Sequence, residues 1–338
     1  MKDHWLDLDL DYEITSMASS YVYMYTCHEE EAQLCQLELR SLFGMESSSS
    51  REHRIHLTES NLGANYVISP IRIDPSRSPF IKLRLAVSLA ADTVQVLASA
   101  VNAIELQDAS FKVVYADIDK SINYNEQRLI EREVGACIRG KAEMRYPDRL
   151  FGITRLDGRW LFGECVTNEA VWLKHNTKPQ HYSTALSTRM ARAVANIAVP
   201  FPEGMTAIDP CCGIGTVLIE ALSMGIHMIG TDINPLAVRG ARVNLAHFGF
   251  PDAVAIQDMR TLTGSYDAAV LDMPYNLCSV ISPAEQLSML ESLRGLTTKA
   301  VIVTTETIDE LVIQAGFTIS DRCVVRKGSF SRQVLVCK

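Results

Sequence analysis

Thr206–Asp209, His227–Asp232, Ala253–Gln257, Ala268–Asp272 and Ala300–Thr304 are short apolar runs separated by segments of helical pattern. That rhythm constrains the fold strongly. Parallel strands need a crossover between them, and crossover helices cover both faces of the sheet they connect. The alternation therefore predicts a doubly wound α/β domain over residues 185–338. Sheets of this kind hold ligands beyond the carboxyl ends of their strands, so residues at those ends are the first candidates for function.

The preceding half has a different pattern. "YVYMYTC" (Tyr21–Cys27) predicts a strand, and Glu29–Phe43 repeats leucines at helical spacing up to Gly44. Glu46–His53 is Ser-rich and predicts an exposed loop, followed by strands at Arg54–Thr58 and Tyr66–Ile68. Ile81–Ile104 carries a helix-like pattern, "FKVVYADI" (Phe111–Ile118) predicts a strand and Asn125–Ile138 an amphipathic helix. "LFGITRL" and "RWLFGECV" are β-prone runs separated by Asp157-Gly158, the pair that suits a hairpin turn with positive φ. These elements predict an α+β region before about residue 170, with Lys174–Ser183 as a linker and a helix in "STALSTRMARAVANIAV".

A chain of 338 residues is expected to hold two or three domains. Its apolar fraction is 47%, yet no uninterrupted apolar run approaches the roughly 18 residues of a membrane span. The start, "MKDHWLDLDLDYE", has neither the basic beginning nor the apolar centre of a secretory signal. None of the nine cysteines forms a C-x-x-C pair, which favours reduced thiols in a cytoplasmic protein over disulfides or zinc. Net charge is −8, but Arg128–Arg159 holds 8 Lys/Arg against 5 Asp/Glu, whereas the first 60 residues hold 4 against 12. A basic face with Arg139, Lys141, Arg145, Arg149, Arg155 and Arg159 is therefore available for nucleic acid, with a solvated surface as the rival reading.

Chemistry concentrates at the strand ends. In "AIDPCCGIGTVLIEAL" an acid, Asp209, precedes a turn with Cys211, Gly213 and Gly215 and a helix beginning near Thr216. The glycines allow a tight turn and close approach of a ligand to free helix N–H groups. The nicotinamide-cofactor fingerprint would place a small residue where Leu218 stands, so the turn points to another ligand. Asp232, 23 residues after Asp209, ends the next strand beside Ile233 and is placed to accept ribose hydroxyls; helix capping is its plain alternative. Asp258, followed by Met259, is a candidate acceptor for an exocyclic adenine amine or a turn-starting residue. Glu220 suits helix packing, and Cys211, Cys212 and Cys278 suit packing better than nucleophilic catalysis. "LDMPYN" then places Asp272, Met273, Pro274 and Tyr275 at the fourth strand end.

Together these motifs resemble the S-adenosylmethionine-dependent methyltransferases that modify exocyclic amines of nucleic-acid bases. "DPCCGIGTVLIEA" is most similar to the THUMP-containing tRNA guanine-N2 methyltransferases. The resemblance implies a ferredoxin-like segment over residues 1–75, a THUMP-like RNA-binding domain over 76–173, a linker over 174–184 and a Rossmann-like methyltransferase domain over 185–338. It implies S-adenosylmethionine as cofactor, tRNA as partner and, as in some relatives, a small activating protein. Asp209, Cys211, Gly213, Gly215, Thr216, Asp232, Ile233, Asp258 and Met259 would hold the cofactor. Asp272 and the Met273 carbonyl would receive the amine hydrogens, Pro274 would restrict Met273, and Tyr275 would stack on the base. The family usually has proline where Met273 stands. Ribosomal guanine N2 or nucleic-acid adenine N6 are alternative targets, and a non-catalytic RNA-binding protein with a retained cofactor fold is the alternative from a different class.

Overall fold

Tyr21–Tyr25 (β1), Tyr66–Ser69 (β2), Ile81–Ala91 (β3), Glu105–Tyr115 (β4), Arg139–Ala142 (β5), Arg149–Leu156 (β6) and Arg159–Thr167 (β7) form one sheet in the order β2-β1-β3-β7-β6-β4-β5. The structure is a computed structural model and describes residues 20–44, 66–118, 122–182, 184–274, 281–328 and 330–338. The predicted loop at Glu46–His53 and strand at Arg54–Thr58 lie outside them. Two compact units divide the described chain, the first drawing on residues 20–26, 66–76 and 80–169.

In that first unit β4 is parallel to β5 and β6, and the other pairs are antiparallel. The helices Val94–Val101 and Tyr124–Cys137 bury Leu97, Val101, Ile130 and Val134 in one apolar cluster with Phe111, Phe151 and Phe162. Each such side chain contributes roughly 1.5–3 kcal/mol by leaving water. Thr93 and Asn123 cap the two helices by accepting from Val96 N and Glu126 N. The hairpin between β6 and β7 turns at Asp157 (φ 48°) and Gly158 (φ 82°), with Leu156 paired to Arg159.

Ile81–Ile104 departs from its helical expectation. Its first eleven residues are the strand β3, paired on one side with β1 and on the other with β7, and only Val94–Val101 is helical. Residues 81–89 alternate Ile81, Leu83, Leu85, Val87 and Leu89 with less apolar residues, a period-two strand signal that the helical stretch after Asp92 does not share. Ile81, Leu83, Leu85 and Val87 are buried, whereas Lys82 and Ala86 are half-buried and Ser88 is exposed.

The second unit comprises residues 27–44, 77–79 and 170 onward among those described. Thr206–Asp209 (β8), His227–Asp232 (β9), Val254–Ile256 (β10), Ala268–Asp272 (β11), Ala300–Thr304 (β12), Ile319–Lys327 (β13) and Phe330–Cys337 (β14) form its sheet, in the order β10-β9-β8-β11-β12-β14-β13. The five strands from β8 to β12 run parallel, and β14 is antiparallel to both neighbours. The sheet order reverses at β8, so the crevice beyond β8 and β11 is the expected ligand position. No helix among the described residues is long and apolar enough to cross a membrane.

The helix Ala32–Leu42, far away in sequence, also belongs to this unit. Arg40 grips Asp321 of β13 through two bonds of 2.9 and 3.0 Å. Fully buried Glu38 accepts from Ser78 Oγ at 2.5 Å and from Asn196 Nδ2 at 2.6 Å. Asn196 lies on the helix Thr188–Ala198, whose Arg192 is 1% exposed and donates to Glu220 Oε2 at 2.7 Å and to the Arg77 carbonyl at 2.9 Å. Glu220 also meets His175 Nδ1 at 2.6 Å, so its packing role extends to an ion-paired network. Burial pushes the Glu38 carboxyl up to about 7 against the lowering effect of its hydrogen bonds, and pulls Arg77 down to about 10.

Candidate active site

Four acids stand at successive strand ends of the second unit. Asp209, Asp232 and Asp272 are the last residues of β8, β9 and β11, and Asp258 caps the 3-10 turn Met259–Thr261 after β10. All four line one cavity of about 530 Å³, together with Cys211, Gly213, Thr216, Ile233, Met259, Met273 and Pro274. That volume suits a cofactor-sized ligand. Gly215 is placed behind the wall, at the start of the helix Thr216–Ser223, and Tyr275 lies outside the described residues.

The glycine turn owes its shape to backbone needs on both sides. Gly213 and Gly215 have φ of 54° and 79°, where a side chain would be strained. Gly230 in β9 has an ordinary φ but no room: a Cβ there would come within 2.6 Å of Leu218 Cδ1 and 2.9 Å of Cys212 Cβ. The bulky Leu218, which departs from the nicotinamide fingerprint, is thus accommodated by a glycine in the neighbouring strand. Cys212 N donates to Thr231 O at 2.9 Å and fastens the turn to that strand.

Asp232 organises the same turn. Its Oδ2 accepts from Gly213 N at 2.9 Å and its Oδ1 from Asn234 N at 2.8 Å. The cap of the following helix Pro235–His247 is Asn234, which accepts from Leu236 N. Each Asp232 oxygen keeps a further acceptor position, as two vicinal hydroxyls require.

Asp209 is 2% exposed, and burial together with neighbouring Asp272 and Asp232 holds its carboxyl well above the usual range. A cationic ligand would offset both effects. The helix Thr216–Ser223 starts without a side-chain cap, and buried Thr216 Oγ1 on the cavity wall has no hydrogen-bond partner. This orphaned hydroxyl and the adjacent free helix N–H groups fit a polar ligand group at the turn.

Asp258 is engaged by Arg260, whose backbone N (2.9 Å), Nε (3.0 Å) and Nη2 (2.5 Å) all reach its carboxylate. This pairing holds Asp258 below the usual carboxylate range. Arg260 lines the cavity and was not singled out from sequence, although "DMR" places it two residues after the acid. Tyr182 and Thr184 also line the wall from within the predicted linker, and Glu285 from the capping box it forms with Ser282.

Met273 is 3% exposed and belongs to the apolar cluster that also contains Met259, Met289 and Leu271. Its N–H donates to the Val303 carbonyl at 2.9 Å, extending the β11–β12 ladder by one bond. Methionine in place of proline therefore supplies a ladder donor and core volume.

Residues 175–290 match the UPF0020 model, described as an RMKL-like methyltransferase domain. The chain is 27% identical over 278 residues to a tRNA (guanine(10)-N2)-dimethyltransferase from Methanothermobacter thermautotrophicus, covering 75% of this chain and 78% of the relative. The corresponding enzyme of Methanocaldococcus jannaschii is 24% identical over 79% of this chain and 84% of its own length. Along most of its length the chain is thus similar to proteins named tRNA (guanine(10)-N2)-dimethyltransferase, and residues 175–290 match a methyltransferase domain. A stretch of 100 residues is also 28% identical to a U6 snRNA (guanine-N(2))-methyltransferase from Bos taurus, covering 28% of this chain and 20% of that one. Among solved structures, TrmN from Thermus thermophilus is similar at 17% identity and a TM-score of 0.45, covering 94% of this chain and 99% of that one.

Proposed function

We propose that this protein is a cytoplasmic S-adenosylmethionine-dependent tRNA methyltransferase acting on the exocyclic N2 amine of a guanine. The observation that carries the reading is the convergence of Asp272-Met273-Pro274 with Asp209, Thr216 and Asp232 on one cavity. S-adenosylmethionine supplies an electrophilic methyl group on a sulfonium. Asp232 would hold its ribose, the turn with Thr216 and Asp209 its charged amino-acid end, and Asp258 its adenine amine while sharing its oxygens with Arg260.

A guanine N2 amine is a weak nucleophile because its lone pair is delocalised into the ring, so its orientation decides the rate. Asp272 accepts one amine hydrogen and favours the positive charge that develops on nitrogen. The Met273 carbonyl accepts the other. Pro274 keeps Met273 extended, and the bond to Val303 anchors its backbone. Tyr275 supplies a stacking face for a base taken out of its helix.

The N-terminal assignment belongs to the same reading with its bounds redrawn: the described strands of the ferredoxin-like segment expected over 1–75 and of the THUMP-like domain expected over 76–173 share one sheet, residues 27–44 and the linker expected at 174–184 belong to the second unit, and the first unit is the part proposed to hold RNA. Lys141, Arg145 and Arg155 are exposed in the first unit, whereas Arg139, Arg149 and Arg159 pair with Glu105, Glu164 and Asp92. The first three are the better phosphate contacts. A small activating protein, as some relatives need, is part of the proposal.

The test is incubation with unmodified tRNA and labelled S-adenosylmethionine, followed by digestion and nucleoside identification, beginning with the guanine at position 10 that the archaeal relatives' names specify. N2-methylated guanosine is expected. Methyladenosine would assign the alternative base. Product from a spliceosomal or ribosomal RNA alone would assign another RNA, a reading the Bos taurus relative favours. Tight tRNA binding with no cofactor binding would make the protein a non-catalytic RNA-binding module.

A further inference from the structure

Tyr182 lines the wall of the cavity that contains Asp272, Met273 and Pro274, and it is 56% exposed. An exposed aromatic ring loses hydrophobic stabilisation unless something covers it, and here the surrounding backbone is held firmly. On one side, Gln180 N donates to Asn244 Oδ1 at 2.8 Å and the Asn244 amide returns a bond to Gln180 O at 3.1 Å. Asn244 also donates to Ile214 O in the glycine turn at 3.1 Å, which ties this segment to the cofactor wall. On the other side, Ala185 N donates to Tyr182 O at 3.1 Å and Arg332 Nη2 to Thr184 O at 3.0 Å. Ser187 then caps the helix Thr188–Ala198.

Residues on both sides of Tyr182 are thus anchored while its ring stays open to solvent. We propose that Tyr182 is a base-binding residue whose ring stacks on the target base at the mouth of the cavity. The proposal rests on the reading of the site as one for base methylation. A planar base offers a π-face whatever its edge groups, so the contact adds affinity and fixes the plane of the base while Asp272 engages the amine. Its held backbone lowers the ordering cost of binding, since only the side-chain torsions remain to be fixed.

The experiment compares Tyr182→Leu and Tyr182→Phe with the wild type in tRNA methylation kinetics and in S-adenosylhomocysteine binding by calorimetry. Tyr182→Leu is expected to lower kcat/KM for tRNA by roughly tenfold or more, the scale of one lost base stack. Its affinity for S-adenosylhomocysteine should stay near that of the wild type, and Tyr182→Phe should regain most of the tRNA loss. A Leu variant with wild-type kcat/KM overturns the proposal. A matching loss of S-adenosylhomocysteine affinity also overturns it, because the ring would then serve the cofactor. A Phe variant as impaired as the Leu variant overturns it by assigning the effect to the hydroxyl. Failure of the wild type to methylate any tRNA is a separate result: it removes the methylation reading, and this proposal with it.

Discussion

The N–H of Met273 donates to the carbonyl of Val303 at 2.9 Å, and the Met273 side chain is buried in the cluster beneath the cavity. Proline at this position would forfeit the bond and much of the packing. Met273→Pro is therefore expected to cost stability on the order of 2–4 kcal/mol in urea unfolding. Met273→Leu, which keeps the donor and the volume, should cost less than about 1.5 kcal/mol. Equal stability of the Pro variant and the wild type would show that neither contact matters.

Asp272 stands at the end of β11 next to Asp209. Asp272→Ala should reduce methyl transfer by about 100-fold or more while S-adenosylhomocysteine still binds in calorimetry. Full activity would remove Asp272 from the mechanism.

Thr216 Oγ1 has no hydrogen-bond partner although it is buried. Replacing such a group with an isosteric methyl removes nothing from the protein's own bonding. Thr216→Val should melt within a degree or two of the wild type, roughly the effect of a neutral change. It should bind S-adenosylhomocysteine several-fold more weakly, roughly one hydrogen bond's worth. A large loss of stability with unchanged binding would contradict the ligand-facing role.

Gly230 leaves the space that Leu218 and Cys212 occupy. Gly230→Ala is expected to destabilise by about 1–3 kcal/mol through overpacking. Adding Leu218→Val should recover part of that loss, which a double-mutant cycle would read as coupling. Strict additivity would mean that the two side chains do not compete for this space.

Glu38 has its carboxyl pushed from the usual 4.5 to about 7 by burial. Below about pH 4.5 the folded and unfolded chains both carry this proton. As pH rises from there toward 7, the unfolded chain releases it first, so folding stability falls across that window and levels off above it. The loss is on the order of 3 kcal/mol for full burial. Glu38→Gln should flatten this part of the melting-temperature profile. An unchanged slope in the variant would assign the pH dependence to other groups.

Much of the catalytic unit was legible as pattern. Parallel strands bounded by turns leave short apolar runs, and β8, β9, β11 and β12 fall where those runs predict. The acids at their ends were visible because a strand's last residue is the point at which burial gives way to the ligand crevice. Strand β3 carries a period-two run over residues 81–89, and the helical expectation for the whole segment fits only Val94–Val101, because the apolar composition runs on unbroken from the strand into the helix. Tyr182 and Arg260 were missed because a cavity wall is a spatial neighbourhood, and nothing in "QHYST" or "DMRT" marks one.

By itself the sequence determined the rhythm of elements, the glycine turn and the carboxylates at the strand ends, because periodicity, φ preference and charge are properties of neighbouring residues. Tertiary structure alone decided that Glu38, Ser78 and Asn196 share one buried network, that Gly230 makes room for Leu218 and that the Thr216 hydroxyl is buried without a partner in a residue that lines the cavity. Such facts depend on which distant segments touch, and distance along the chain carries no record of that until the chain has packed.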